Sequence, residues 1–105
     1  MRYIIRYTPA AQKDMDDVWD GVLQASRSFD IADKYVDEFV NEIANKKNFP
    51  KSGTPIYYRG LFTGFYSVDF KAYKAFYRVN EEYIDVIRIL LAKMDYLKIL
   101  FGKSE

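Results

Sequence analysis

The hydrophobic period of this chain changes in mid-chain, and that change restricts the fold more than any motif does. From residue 11 to residue 43 the apolar side chains recur every third or fourth position, the helical period. Ala11, Met15, Val18, Trp19 and Val22 make one stripe, and Ala32, Tyr35, Val36, Phe39, Val40 and Ile43 make a second. From Gly60 onward the pattern becomes one of aromatic and β-preferring runs: Phe62 to Phe70, Lys74 to Val79 and Tyr83 to Leu91.

The ends of these segments carry their own signals. Thr8 stands as N-cap before Pro9, whose fixed φ suits the first helical position. Ser28 to Asp30 restarts a helix that Pro50 and Gly53 terminate, with Lys46 and Lys47 placed in its last turn where the helix dipole favours cations. Only a short polar link separates the two helices, so they pair as an antiparallel hairpin. Residues 2–7 (Arg-Tyr-Ile-Ile-Arg-Tyr) read as a strand, and the links 71–73 and 80–82 have hairpin length. Residues 95–101 form a short C-terminal helix. The expected architecture is α+β, in the order β-α-α-β-β-β-(α), an antiparallel sheet with a helical hairpin on one face. The first strand must pair within that sheet, because a lone strand leaves its backbone groups unsatisfied. At 105 residues the chain is expected to be a single domain, 1–105.

Composition removes several chemistries. The chain has no Cys and no His, which excludes disulfides, thiol nucleophiles, imidazole bases and Cys/His zinc sites. No cofactor is implied. Asp14, Asp16 and Asp17 are the one acidic cluster that suggests a cation, but consecutive helix positions point in different directions, so a solvated acidic face is the reading and no metal site is assigned. Neither a signal-peptide pattern nor a membrane-length apolar run is present, so a cytoplasmic protein with no membrane partner is expected. Net charge is only +1. The halves differ slightly, with seven basic and nine acidic side chains on residues 1–50 against nine and six on residues 51–105. Such a balance makes a poor default nucleic-acid binder, although a local patch remains open.

A basic and aromatic set does interleave in the second half: Arg59, Tyr66, Lys71, Tyr73, Lys74, Tyr77, Arg78, Arg88 and Lys93. The strand period puts Lys74, Phe76 and Arg78 on one face, with Ala75, Tyr77 and Val79 on the other. Helices on one side would leave the opposite side as a shallow basic, aromatic-lined platform. It would suit stacked bases and phosphates, or an acidic, apolar peptide.

Together with the order of elements, four stretches resemble the RelE/ParE superfamily of toxins. They are Tyr7-Thr8-Pro9-Ala10-Ala11-Gln12-Lys13-Asp14-Met15; Ala32, Phe39 and Ile43 followed by Phe49-Pro50-Lys51-Ser52-Gly53; Tyr73-Lys74-Ala75-Phe76-Tyr77-Arg78-Val79; and Ile84 to Leu91 with Lys93 and Asp95. The resemblance implies a small toxin, held in a hetero-oligomer by a cognate antitoxin whose C-terminal segment wraps it. RelE-like members cut mRNA in the ribosomal A site; ParE-like members poison DNA gyrase. The lysine pair of RelE-like members falls near Ser67 and Asp69 here, their strand arginine at Lys74, and their later arginine at Lys93 or Met94. Tyr96 is the candidate for their C-terminal tyrosine. The usual His of ParE-like members is Leu91.

The expectation is therefore a non-enzymatic, ParE-like toxin directed at gyrase. The alternatives are a ribosome-dependent endoribonuclease acting on mRNA, and an inactive member that binds only antitoxin. For the endoribonuclease, Lys71, Lys74, Arg78 and Lys93 would hold phosphates, Tyr66 or Tyr73 would stack a base, and Lys71 or Tyr66 would serve as base. The residues expected to contact antitoxin or target are Arg59, Tyr73, Lys74, Arg78, Arg88, Lys93 and Tyr96.

Overall fold

The computed structural model describes residues 3–102, so Arg2, the first residue of the expected strand, lies outside the described residues. Strand β1 (Ile4–Tyr7) leads into helices α1 (Pro9–Ser26) and α2 (Phe29–Ala44). Two single 3₁₀ turns, Asn45–Lys47 and Pro50–Ser52, precede β2 (Thr54–Tyr58), β3 (Leu61–Phe70), β4 (Tyr73–Asn80) and β5 (Tyr83–Leu91). A last helix, α3, spans Tyr96–Phe101.

The helix starts follow the sequence signals. The Thr8 hydroxyl accepts from the N–H of Ala11 at 3.1 Å, and Ser28 accepts from Ile31 at 3.2 Å. Arg27 ends α1 in the left-handed region (φ 58°), its N–H bonded to the Leu23 carbonyl. Lys46 and Lys47 belong to the 3₁₀ turn that follows α2 rather than to its last turn.

The sheet has five strands in the order β1-β5-β4-β3-β2. Two details differ from the expectation. The stretch 54–58 is a strand that the Pro55 and Gly53 breakers disguised. The sheet is mixed rather than wholly antiparallel, because β1 joins it parallel to β5. Both β3 and β5 contain irregularities. In β5, Phe76 pairs with Arg88 but Tyr77 pairs with Val86, so Ile87 is an extra residue. This bulge resets the alternation and lets Ile84, Val86 and Ile89 all join one core.

That core lies between the helices and one sheet face. Ala11, Val18, Phe39 and Ile43 meet Val68, Ala75, Tyr77 and the three β5 residues. Phe39 stacks on Phe70 at 4.9 Å. Val40, expected on the α2 stripe, is exposed. The opposite face carries a second, smaller core. Ile56, Phe76 and Leu90 are buried there beneath Tyr96, Leu97 and Leu100 of α3. The platform expected to be open is thus largely roofed by α3, whose six residues bury the apolar centre of the sheet face and leave its rim.

Candidate functional site

Lys74 and Arg78 do project from β4 on the α3 side, flanking Phe76, which α3 covers through Tyr96 (ring centroids 5.1 Å). Their electrostatics differ. Asp69 sits directly across from Lys74 in the β3–β4 register, and its carboxylate accepts from the Lys74 ammonium at 2.8 Å and from the Ser67 hydroxyl at 3.2 Å. The Lys74 side chain is 21% exposed and its charge is compensated. The resemblance puts the lysine pair near Ser67 and Asp69, so this corner offers a carboxylate where a developing phosphate charge needs positive partners. Arg78 is exposed, with its guanidinium 5.5 Å from the Phe65 ring centroid.

The other expected site residues are dispersed. Tyr66 lies on the helix side of the sheet, stacked against Tyr77 at 5.5 Å, away from Lys74 and Arg78. Lys71, in the β3–β4 turn, stands 3.8 Å from Glu38 of α2 and over the ring of Tyr35. Lys93 is exposed after β5. Arg59, at the β2–β3 turn, lies over the Tyr58 ring at 5.3 Å. Tyr96 packs into the second core. Arg88 turns to α1 and pairs with Asp14. That carboxylate raises Arg88 above the ordinary guanidinium range, and it removes Asp14 from the solvated acidic face to which Asp16 and Asp17 belong. Lys71, Lys74, Arg78, Lys93 and Tyr66 therefore do not converge on one reacting centre.

The structure assembles a groove around Tyr73. On one side of this tyrosine is a cleft of about 300 Å³ between α1 (Asp14, Asp17, Val18) and the end of β5 with Met94. On the other side is an apolar groove of about 480 Å³ formed by Gly21, Val22, Ala25, Ile31 and Tyr35. A Cβ on Gly21 would stand 3.7 Å from the Tyr73 hydroxyl, so small residues at 21 and 25, one turn apart, form the floor. That i, i+4 pair of small residues was legible in the sequence. The participation of Ile31, which is 52% exposed, was not. Burial raises the Tyr35 hydroxyl above the ordinary phenol range, with Tyr73 adding to the effect, so this hydroxyl stays protonated at neutral pH.

Two further clusters are structural. The Tyr77 hydroxyl, pushed up to about 12 by burial, donates to the Pro50 carbonyl at 2.6 Å and accepts from the Gly53 N–H at 3.1 Å. On the rim, Asp85 receives Arg6 at 2.7 and 3.0 Å and Asn80 at 2.9 Å. Among the described residues no group of acidic side chains is close enough to hold a metal ion, and no helix is long and apolar enough to cross a membrane.

Comparison with known proteins agrees with this architecture. Residues 5–96 match the profile of a family described as the ParE toxin of the type II toxin–antitoxin system parDE. No curated protein sequence is significantly similar to the chain. Among solved structures, a chain of the chromosomal ParDE system from P. aeruginosa superposes with a TM-score of 0.73 at 18% identity, covering 88% of this chain and 98% of that one. A chain of the RelBE2 toxin–antitoxin complex from Mycobacterium tuberculosis gives 0.57 at 20% identity, covering 87% and 99%. YafQ from E. coli gives 0.52 at 12% identity, covering 96% and 100%. At these identities the structural likenesses bear on the fold.

Proposed function

The chain belongs to the ParE toxin family of type II toxin–antitoxin systems, and from that premise we propose that it acts in the cytoplasm, arresting growth by binding DNA gyrase without cutting RNA. We further propose that a cognate antitoxin neutralises it within a hetero-oligomer. The observation that carries the first part is the Asp69–Lys74 pair at 2.8 Å. A ribonuclease site stabilises phosphate charge with cations that are free to meet it. Here the strand cation already faces a carboxylate, and the remaining candidate groups lie on different sides of the sheet. A toxin that binds and distorts a large enzyme has no need of such a set.

The antitoxin reading is supported by the groove around Tyr73. It is an apolar depression on the molecule's helical side, with Lys71 over the Tyr35 ring and with Arg88 and Asp14 at one end. An amphipathic segment fits this shape, with apolar residues against Val22, Ile31 and Tyr35. The ParDE and RelBE2 relatives were solved as toxin–antitoxin systems. Purified protein is expected to inhibit gyrase-catalysed supercoiling while primer extension on translated mRNA shows no new ends. A-site cuts would replace this reading with the nuclease one. Harmless accumulation in the absence of antitoxin would leave an inactive family member.

A further inference from the structure

The β2–β3 hairpin runs past the body of the sheet. Pairing of β3 with β4 begins at Phe65 and Arg78, so residues 61–64 are held on one side only, by β2. Its turn consists of Arg59 and Gly60, both with positive φ (51° and 79°), the geometry that matches the twist of a two-residue hairpin. A bare two-stranded ribbon is marginal in water, yet this one exposes apolar side chains on both faces. Tyr57 and Phe62 pair across the strands with rings 5.8 Å apart, and Leu61, on the other face, is 74% exposed. The ribbon is nevertheless well anchored. The Phe62 ring meets Tyr66 at 5.3 Å, and Tyr66 stacks on the fully buried Tyr77.

Charge on the ribbon itself is one-sided, although Asp85 stands across from Arg78 in the β4–β5 register. Residues 54–68 contain no acidic side chain and one basic one, Arg59. On the Leu61 face Arg78 lies over Phe65, and α3, whose Phe101 packs on Tyr58 and Phe65, adds exposed Lys98 and Ile99.

We propose that this finger is the element by which the toxin docks on its target: Tyr57, Leu61 and Phe62 enter an apolar groove of a protein whose acidic rim faces Arg59, Arg78 and Lys98. The proposal rests on the reading of the chain as a toxin that acts by binding a macromolecule. Aromatic residues and arginine are the side chains that dominate interface centres. A second copy is a worse occupant, because a two-fold contact centred on the tip brings Arg59 against Arg59. A lipid surface is also worse, since three cations fall short of the roughly four to eight used by anionic-lipid sites. Strand β3 places the finger roughly 30 Å from Tyr73, so the target and the antitoxin engage opposite ends of the domain.

The test uses two exposed-site variants, Leu61→Asp and Phe62→Ser, each compared with the unaltered chain for growth arrest without antitoxin and for affinity to purified cognate antitoxin. Loss of arrest by about tenfold or more in surviving colonies, with antitoxin Kd within about threefold, is the expected result. Variants that bind antitoxin and still arrest growth fully overturn the docking proposal and leave the toxin reading intact. Variants that lose antitoxin in step with toxicity assign the finger to the antitoxin and overturn it too. So does a dimer of the unaltered chain that Leu61→Asp dissociates in sedimentation, or binding to phosphatidylserine vesicles that the same variant abolishes. An unaltered chain that leaves growth untouched defeats the toxin reading itself, and the docking proposal with it.

Discussion

Asp14 of α1 grips Arg88 of β5 through hydrogen bonds of 2.7 and 3.1 Å, and the same carboxylate accepts the N–H of Ile89 at 2.9 Å. Strand β1 pairs with β5 only as far as Val86. Beyond that point α1 takes over the strand edge with side chains, Thr8 donating to the Ile87 carbonyl at 2.8 Å and Asp14 receiving Ile89. An open edge is thereby closed without another strand. The Asp14 side chain is only 11% exposed, so its loss leaves a charge and a backbone donor without their partner.

Asp14→Ala is therefore expected to destabilise the fold by about 2 kcal/mol, since hydrogen bonds to charged groups contribute about 1.5–3 kcal/mol. Urea denaturation measures it. Asp14→Asn, which keeps an acceptor for Ile89, should lose less. Equal losses would show that the backbone contact contributes nothing beyond the ion pair.

Tyr77→Phe removes the hydroxyl that ties the 50–53 bend to the sheet. Two backbone groups lose their partner, at a cost of about 1–3 kcal/mol. Gly53→Ala should be comparably harmful by a different route, because its Cβ would collide with the Tyr77 hydroxyl and stand 2.8 Å from the Ser67 carbonyl oxygen. Thermal melts of both variants, with a fall of about 4–8 °C per kcal/mol for a domain this size, check the pair. An unchanged melting temperature in Gly53→Ala would mean that the bend relaxes freely.

Acid should weaken the rim at Asp85. The hydrogen bond from Arg6 lowers the Asp85 carboxyl below its ordinary value of 3.8, with a smaller contribution from Asn80. A carboxyl whose folded-state value is depressed contributes stability above its unfolded value and loses it as pH falls through the folded one. Stability from this group is thus complete above about pH 5 and disappears below that through the acid range. Asp85→Asn should be less stable at neutral pH and show a flatter decline below about pH 5. Chemical denaturation across that range reads the difference, and parallel curves would exclude the linkage.

Ile31→Asp places a charge in the apolar groove beside Tyr35 and Tyr73 without touching the core, since Ile31 is 52% exposed. Antitoxin affinity should fall about tenfold or more, as for an interface-centre residue, while growth arrest without antitoxin persists. Calorimetric titration and induced growth curves test the two halves. Unaltered affinity would move the antitoxin elsewhere on the surface.

The sequence by itself determined the local elements and the family. Two apolar stripes at helical period, Thr8-Pro9 and Ser28 as starts, and aromatic runs after Gly60 specified the helical hairpin and three of the strands, because period and capping are short-range properties of the backbone. The Tyr73–Val79 strand carried the resemblance that the family profile over residues 5–96 supports. Tertiary structure alone decided the rest. Whether β1 would run parallel to β5, whether residues 54–58 would pair despite Pro55, and which face α3 would cover all depend on partners distant in the chain. The same holds for the cations. Lys74 and Arg88 look alike as exposed strand residues in the sequence, yet one meets Asp69 five residues away and the other meets Asp14 seventy-four residues away. Charge compensation depends on distance in space, and a one-dimensional pattern does not contain that distance.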